Sequence, residues 1–133
     1  MSTAENTVRE FWRLMGTNDF ASVKQVLSEA FVLEWPQSNE LIRGPEKFVR
    51  LNAEYPAFGP WVFEVKRLVA SPNEVVTHVA VTDGKQVAEA VSFFEVVAGR
   101  ITRVVEYWPE SYAPPGNRAH IVEPLHRSAT GDA

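Results

Sequence analysis

The feature that most constrains the fold is a change of hydrophobic period near residue 60. Beyond it, apolar residues alternate with polar ones in four successive segments, residues 61–70, 74–83, 86–97 and 100–108. Alternation of this kind is typical of β-strands with one buried face. The connections are too short for crossover helices, so neighbouring strands must run in opposite directions. The sequence therefore predicts an antiparallel meander of four strands.

The first sixty residues follow the helical period instead. The first predicted helix repeats apolar residues at i, i+3, i+4 and i+7: Val8, Phe11, Trp12 and Met15. A second, short helix is predicted from Asp19, and Pro45 opens a third. Between the last two, an apolar segment that ends at Pro36 predicts a strand, and residues 37–44 are predicted to form a loop. Three N-terminal helices and a meander define an α+β domain.

Composition limits the possible functions. The chain has 133 residues, the size of one compact domain, and a net charge of −4, which gives no electrostatic reason to expect nucleic acid or an anionic membrane as a partner. It contains no Cys, and its three His lack metal-binding spacing, so we expect no metal site and no cofactor. The sequence shows no signal region and no apolar run of membrane length, which predicts a cytoplasmic protein.

The chain divides into a domain over residues 1–112 and a C-terminal extension over residues 113–133. The extension is rich in Pro and polar residues. Its last residues are predicted to be disordered.

Two short turns place ionisable residues near one another. If Asp83 and Gly84 are the two residues of a hairpin turn, His78 lies directly opposite Glu89 on one face of the sheet. A second turn at Ala98-Gly99 extends that row to Trp108 and makes Glu106 a diagonal neighbour of Glu89. The other face of the same strands is smooth, with small or apolar side chains. The pattern alone leaves open which face is buried.

Two stretches of the chain resemble a known family. "NDFASVKQVLSEAFVLEWPQSNELIRGPEKFV" and "FFEVVAGRITRVVEYWPE" resemble the nuclear transport factor 2-like superfamily, over residues from about 5 to 112. The closer likeness is to its SnoaL-like branch, which includes polyketide cyclases and is similar to ketosteroid isomerase. The resemblance implies a cone-shaped, curved antiparallel or mixed sheet wrapped around the three helices, with a pocket at the open end.

The resemblance also suggests which residues line that pocket. Pocket positions of ketosteroid isomerase correspond to five strand residues of this chain, and this correspondence would place the polar face of the sheet inside. The five residues are His78, Glu89, Val91, Glu106 and Trp108. The smooth face would then lie outside and pack against a second copy, forming a homodimer through Ala88, Ala90, Ser92 and Tyr107.

The same comparison argues against the activity of ketosteroid isomerase itself. The three catalytic positions of the isomerase fall on Phe11, Trp35 and Val91, which are all apolar. Steroid isomerisation by that route is therefore not expected. SnoaL-like cyclases use an acid or base on the sheet, and Glu89 or Glu106 could act as that group here.

Two hypotheses follow for the function. In the first, His78, Glu89 and Glu106 carry out acid/base catalysis, of the lyase, cyclase or isomerase type, on a small apolar cyclic molecule. Its pocket is lined by seven apolar or aromatic residues: Phe11, Trp12, Trp35, Phe48, Tyr55, Val91 and Trp108. In the second, the protein is a non-catalytic ligand-binding or dimerisation module, and His78 and Glu89 only satisfy each other.

Overall fold

The computed structural model describes residues 3–126. Helix α1 spans Thr3–Gly16, a 3-10 helix spans Phe20–Val26, helix α2 spans Pro45–Glu54, and a 3-10 turn spans Gly116–Arg118. The strands are β1 (Leu27–Trp35), β2 (Glu40–Arg43), β3 (Val62–Ala70), β4 (Glu74–Thr82), β5 (Val87–Val97) and β6 (Arg100–Tyr107). Residues 127–133, where disorder was predicted, lie outside the described part of the chain.

The six strands form one mixed sheet in the order β2-β1-β6-β5-β4-β3. All neighbouring pairs are antiparallel except β1 and β6, which are parallel. The predicted meander is β3 to β6, and the three predicted helices are present before it. The α+β class and the helix-filled curved sheet are therefore confirmed.

Two predicted elements differ near the start of the sheet. The segment predicted as a loop contains β2, which pairs with β1 through a tight turn after Pro36. Asn39 closes that turn with a positive φ of 58°, which Asn tolerates better than most residues. The second helix, which the sequence predicts to run to Ala30, stops at Val26, because Leu27 already belongs to β1.

The sheet has an inner face, which packs on the helices, and an outer face, which does not. The inner face of β4, β5 and β6 consists of alternate residues that are buried or nearly so: Val75, Thr77, Val79, Val81, Ala88, Ala90, Ser92, Phe94, Val104 and Glu106. Helix α1 lies against it. The Phe11 and Phe94 rings are 5.2 Å apart, and the Trp12 indole Nε1 donates a hydrogen bond of 3.2 Å to Thr77 Oγ1.

The predicted assignment of the two faces is wrong. The smooth face, expected outside, is the inner face, whereas His78 and Glu89 lie on the outer face. The physical reason is desolvation: small and apolar side chains can be covered by α1 at little cost, whereas an imidazole and a carboxylate would lose their hydration. Hence Ala88, Ala90 and Ser92 cannot form a surface for a second copy.

The predicted pairing of His78 with Glu89 is also two residues out of register. The loop between β4 and β5 has four residues, Asp83 to Gln86, so His78 lies opposite Val91, and Glu89 lies opposite Ala80. The two side chains still meet diagonally on the same face, with 2.7 Å between His78 Nε2 and Glu89 Oε1.

A β-bulge in β6 decides where Glu106 points. The two-residue turn at Ala98-Gly99 is present as predicted, with both residues at positive φ. Between Ile101 and Arg103, however, Thr102 is skipped in the pairing with β5. Glu106 consequently lies opposite Ser92 on the inner face, and Tyr107 lies opposite Val91 on the outer face.

Neighbouring phenylalanines of β5 offer a test of the two faces. Phe94 is 1% exposed on the inner face, whereas Phe93 is 44% exposed on the outer face. We expect Phe94→Ala to lower the free energy of unfolding by about 3–5 kcal/mol, as is usual for a buried Phe. The matched Phe93→Ala should cost less than half as much when both variants are compared at a protein concentration too low for self-association. Urea titrations at one protein concentration measure both, and equal losses would contradict the assignment.

Candidate ligand pocket

A cavity of about 180 Å³ lies between the inner face, α1 and α2. Eight of its lining residues are aromatic: Phe11, Trp12, Trp35, Phe48, Tyr55, Trp61, Phe63 and Trp108. Six more are aliphatic, namely Met15, Leu33, Leu51, Val81, Val87 and Ala88, and three are polar, namely Asn52, Gln86 and Glu106. The cavity is thus an aromatic enclosure with a single carboxyl group.

Glu106 is held by hydrogen bonds from three directions. Ser92 Oγ donates to Oε2 at 2.6 Å, and Trp35 Nε1 donates to Oε1 at 3.0 Å. The Trp108 side chain, whose indole N–H is its only donor, also hydrogen-bonds the carboxyl group. Strands β1 and β5, which flank β6, and the residue just beyond β6 therefore fix the position of this group.

Burial raises the pKa of Glu106 above its ordinary value, because the ionised form loses its hydration. The hydrogen bonds from Ser92, Trp35 and Trp108 act in the opposite direction and do not cancel the effect of burial. Glu106 is only 8% exposed. Its titration is thereby moved towards neutral pH, where a carboxyl group can both give and take a proton.

Two amide side chains hold aromatic walls of the cavity in place. Gln37 accepts a hydrogen bond from Trp108 N at 2.6 Å and donates one to Trp108 O at 3.2 Å. Asn18 does the same for Trp61, at 2.7 and 2.8 Å. Both tryptophans lie just outside a strand, where no ladder of backbone hydrogen bonds would otherwise fix them.

Asp83 joins two loops at the rim of the cavity. Its carboxylate accepts hydrogen bonds from the backbone N–H groups of Phe58, Lys85 and Gln86, and from the Gln86 side chain, at 2.7–2.9 Å. Although burial opposes it, these bonds hold the pKa of Asp83 well below its usual range. This network explains why the loop is longer than the two-residue turn that the sequence suggested.

The structure brings only part of the predicted site together. Glu106 and six of the seven predicted lining residues surround the cavity: Phe11, Trp12, Trp35, Phe48, Tyr55 and Trp108. Val91, His78 and Glu89 lie on the outer face instead, and the placement of these three in the pocket is wrong. Of the predicted dimer residues, Tyr107 alone is on the outer face.

Ser92 is the most important residue that sequence reasoning missed as part of the site. The sequence pattern predicts it on the smooth outer face, yet its hydroxyl contacts the buried carboxyl group of Glu106 in the cavity. Its alternation with Phe94 was a usable signal, because a residue two positions from a buried Phe shares its face. The sequence predicts Trp61 and Phe63 only as residues of a strand, whereas both line the cavity.

Within residues 3–126, no group of three or more His, Asp or Glu side chains is placed to hold a metal ion. In the same part of the chain, every helix is too short or too polar to cross a membrane.

The fold and its enclosed aromatic pocket define a nuclear transport factor 2-like protein. The SnoaL-like domain model matches residues 8–104, and the chain belongs to that family. A candidate ketosteroid isomerase from Kribbella flavida DSM 17836 is 33% identical, with a TM-score of 0.85 over 93% of this chain and 90% of that one. The recognised resemblance is thus confirmed.

Two further solved structures are similar in fold. An epoxide hydrolase of M. tuberculosis, described as LEH-like, is 24% identical, with a TM-score of 0.66 over 80% of this chain and 83% of that one. A protein with a ketosteroid isomerase-like fold from Catenulispora acidiphila DSM 44928, crystallised with trimethylamine, is 8% identical. Its TM-score is 0.66 over 76% of this chain and 83% of that one. No curated protein gives a significant match.

Replacing Glu106 should change how stability depends on pH. The folded protein keeps the Glu106 proton to a higher pH than the unfolded chain, so the wild type loses stability as pH rises from about 4.5 through the raised pKa. Each unit of elevation corresponds to about 1.4 kcal/mol. The free energy of unfolding of Glu106→Gln, relative to wild type, should rise over this range and then level off. Urea titrations at a series of pH values measure it, and a constant difference would contradict the burial of an ionisable Glu106.

Proposed function

We propose that the protein binds a small, largely apolar cyclic molecule and transfers a proton to or from it through Glu106. The observation that carries the proposal is the isolation of this carboxyl group. Among the described residues that line the cavity, it is the only acidic side chain, and the rest of the lining is mostly aromatic or aliphatic. A carboxyl group in such surroundings is the usual form of a buried general acid or base.

The arrangement around Glu106 suits both protonation states. The ionised form accepts from Ser92 and the two indoles, so its charge is partly compensated when it has given up a proton. In the protonated form, the Ser92 hydroxyl can rotate and become the acceptor, because a hydroxyl has both a donor and acceptor lone pairs. The group can therefore cycle between the two states without a rearrangement of the strands.

The cavity limits the size of the substrate. An apolar cavity of about 150 Å³ accommodates benzene, and this cavity measures about 180 Å³. The volume supports a substrate with one ring, or two small fused rings. The fold is also known to occur with small organic molecules, since the C. acidiphila protein was crystallised with trimethylamine.

The second candidate is a non-catalytic binding module. It is supported by the same three hydrogen bonds, since a carboxyl group that serves only to tie β1, β5 and β6 together would also be fully bonded. The two candidates differ in whether Glu106 exchanges protons with a bound molecule.

Hydrogen exchange into small ketones separates the candidates without knowledge of the natural substrate. Cyclopentanone, cyclohexanone and tetralone fit the cavity and carry α-protons that a positioned base removes. In D₂O, we expect wild-type protein to accelerate their deuteration, and Glu106→Gln to lower that acceleration by about 10²–10⁴-fold. Nuclear magnetic resonance follows the loss of the α-proton signals.

The matched controls are His78→Gln and Glu89→Gln, which alter ionisable residues on the outer face and should leave the exchange rate unchanged. Full activity in Glu106→Gln would rule out its proposed role. No acceleration by the wild type would favour the binding module.

We further propose a homodimer, formed through the outer face rather than through the residues first predicted. Phe93 and Tyr107 are 44% and 40% exposed there, and their rings pack edge to face at 6.2 Å. Together with Val76 and Val105, they border a shallow groove. Beside them, Arg103 pairs with Glu34 and Glu95, which forms a charged margin. An apolar patch with a polar rim is typical of a surface that binds a second copy.

A charge placed in this patch should prevent dimer formation. We expect wild-type protein to be dimeric by light scattering at about tens of micromolar, which populates a dimer of micromolar Kd. Phe93→Glu should be monomeric under the same conditions, because each copy would bury an unpaired carboxylate. Lys47→Glu, an exposed change on α2, is the control and should remain dimeric. A monomeric wild type, or a dimeric Phe93→Glu, would contradict the proposed interface.

A further inference from the structure

The described lining of the pocket contains an acidic side chain but no basic one. It combines eight aromatic rings with one carboxyl group, and the described lining includes no Lys, Arg or His. Asn52 and Gln86 add neutral amides: Asn52 Nδ2 donates to Phe48 O, and Gln86 Nε2 donates to Asp83 Oδ2 and Pro56 O. The described lining therefore carries one ionisable acid, many aromatic rings and no basic side chain.

Aromatic rings attract cations through the negative potential above their faces. In this cavity, the rings of Trp35 and Trp108 meet at 88° with centroids 6.4 Å apart, and those of Tyr55 and Trp61 meet at 73° with centroids 6.0 Å apart. Rings that stand at steep angles to each other form the corner of a cage. Such corners are the usual surroundings of a bound quaternary ammonium group.

Glu106 retains room for a ligand. A carboxylate has about four acceptor positions, and Ser92, Trp35 and Trp108 account for three of them. Its three partners are neutral donors, so they support the negative charge without neutralising it. A cationic ligand would supply the missing positive charge beside a carboxyl group that is itself buried.

We infer that the pocket takes a small organic cation, a protonated amine or quaternary ammonium group on a hydrocarbon body, with the cation beside Glu106 and the hydrocarbon against the rings. The inference rests on the proposed function, because it uses the same cavity and names its substrate class. The cavity of about 180 Å³ restricts the body to one small ring or its branched equivalent.

The competing ligand is a neutral carbonyl compound, and pH distinguishes the two. A permanent cation binds the ionised form of Glu106, so its affinity rises as pH rises through the titration of Glu106. A neutral carbonyl oxygen accepts a hydrogen bond from the protonated form, so its affinity falls over the same range. Binding of the cation also releases a proton to the buffer.

Other titratable groups near Glu106 are few. Tyr55 is the one other ionisable side chain of the described lining, and Asp83 at the rim stays ionised because of its lowered pKa. No charged residue other than Glu106 belongs to the described lining of the cavity. On the surrounding elements, charged residues form ion pairs on the outer face or at exposed positions, including Glu34, Glu95 and Arg103, His78 and Glu89, Glu5 and Arg9, Glu10 and Arg13, Lys24 and Glu46, Arg50 and Glu54, and Lys66 and Glu64. Lys47 and Lys85 are exposed.

Choline and 3,3-dimethylbutan-1-ol are suitable probes, because they have the same shape and differ in a positive nitrogen against a neutral carbon. Isothermal titration calorimetry of the full chain is carried out at a series of pH values from about 5 to 8. At the upper end, we expect choline to bind at least about tenfold more tightly than the alcohol. The preference should shrink as pH falls, and it should be lost in Glu106→Gln but kept in Glu89→Gln.

Each outcome decides the inference. Equal or tighter binding of the alcohol, or choline binding that strengthens as pH falls, overturns it while leaving the pocket available to a neutral substrate. Failure of both probes to bind at millimolar concentration also overturns it, and the ketone exchange assay then judges the proposed function separately. The pH series on wild-type protein needs no variant, so a misfolded Glu106→Gln would not prevent a decision.

Discussion

The packing of α1 against the inner face is the contact on which the rest of the structure depends. Phe11 and Trp12 cover only part of that face, around Phe94 and Thr77. The remainder is left open between α1 and α2, and it becomes the cavity. The pocket is thus the area of a curved sheet that three short helices are too small to fill. Burying apolar surface drives this packing, and it requires the inner positions to be small or apolar.

Glu106 is the exception to that requirement, and its surroundings show how the exception is tolerated. An ionised carboxyl group is costly to bury unless it is hydrogen-bonded. Here Trp35 of β1 and Ser92 of β5 donate to it, Trp108 contacts it from just beyond β6, and Gln37 fixes the backbone of Trp108. The cost that remains is visible as the raised pKa of Glu106. Replacing Glu106 by an apolar residue would leave the Trp35 indole N–H and the Ser92 hydroxyl without their acceptor, so the carboxyl group and its donors form one unit.

Much of the fold could be predicted from the sequence, because its signals are local. The period of two, the turn at Ala98-Gly99 and the apolar stripe of α1 each depend on residues close together in the chain. The register of β4 and β5 could not be predicted, because Asp83 is tied to Phe58, 25 residues away. The burial of one face was misjudged for a similar reason, since both faces are rich in apolar residues and the choice depends on which one α1 covers. Aromatic pocket residues were easier to predict than Ser92, whose role appears only beside Glu106.

The skipped residue Thr102 has a consequence for assigning residues of β6 to the two faces. In a regular strand, inserting one residue would turn every later side chain to the opposite face. The bulge confines the insertion to one position, so the residues beyond it keep their sides of the sheet. Counting by twos from the turn at Ala98-Gly99 would therefore put Glu106 on the outer face, whereas counting backwards from Tyr107 at the end of β6 gives its true side.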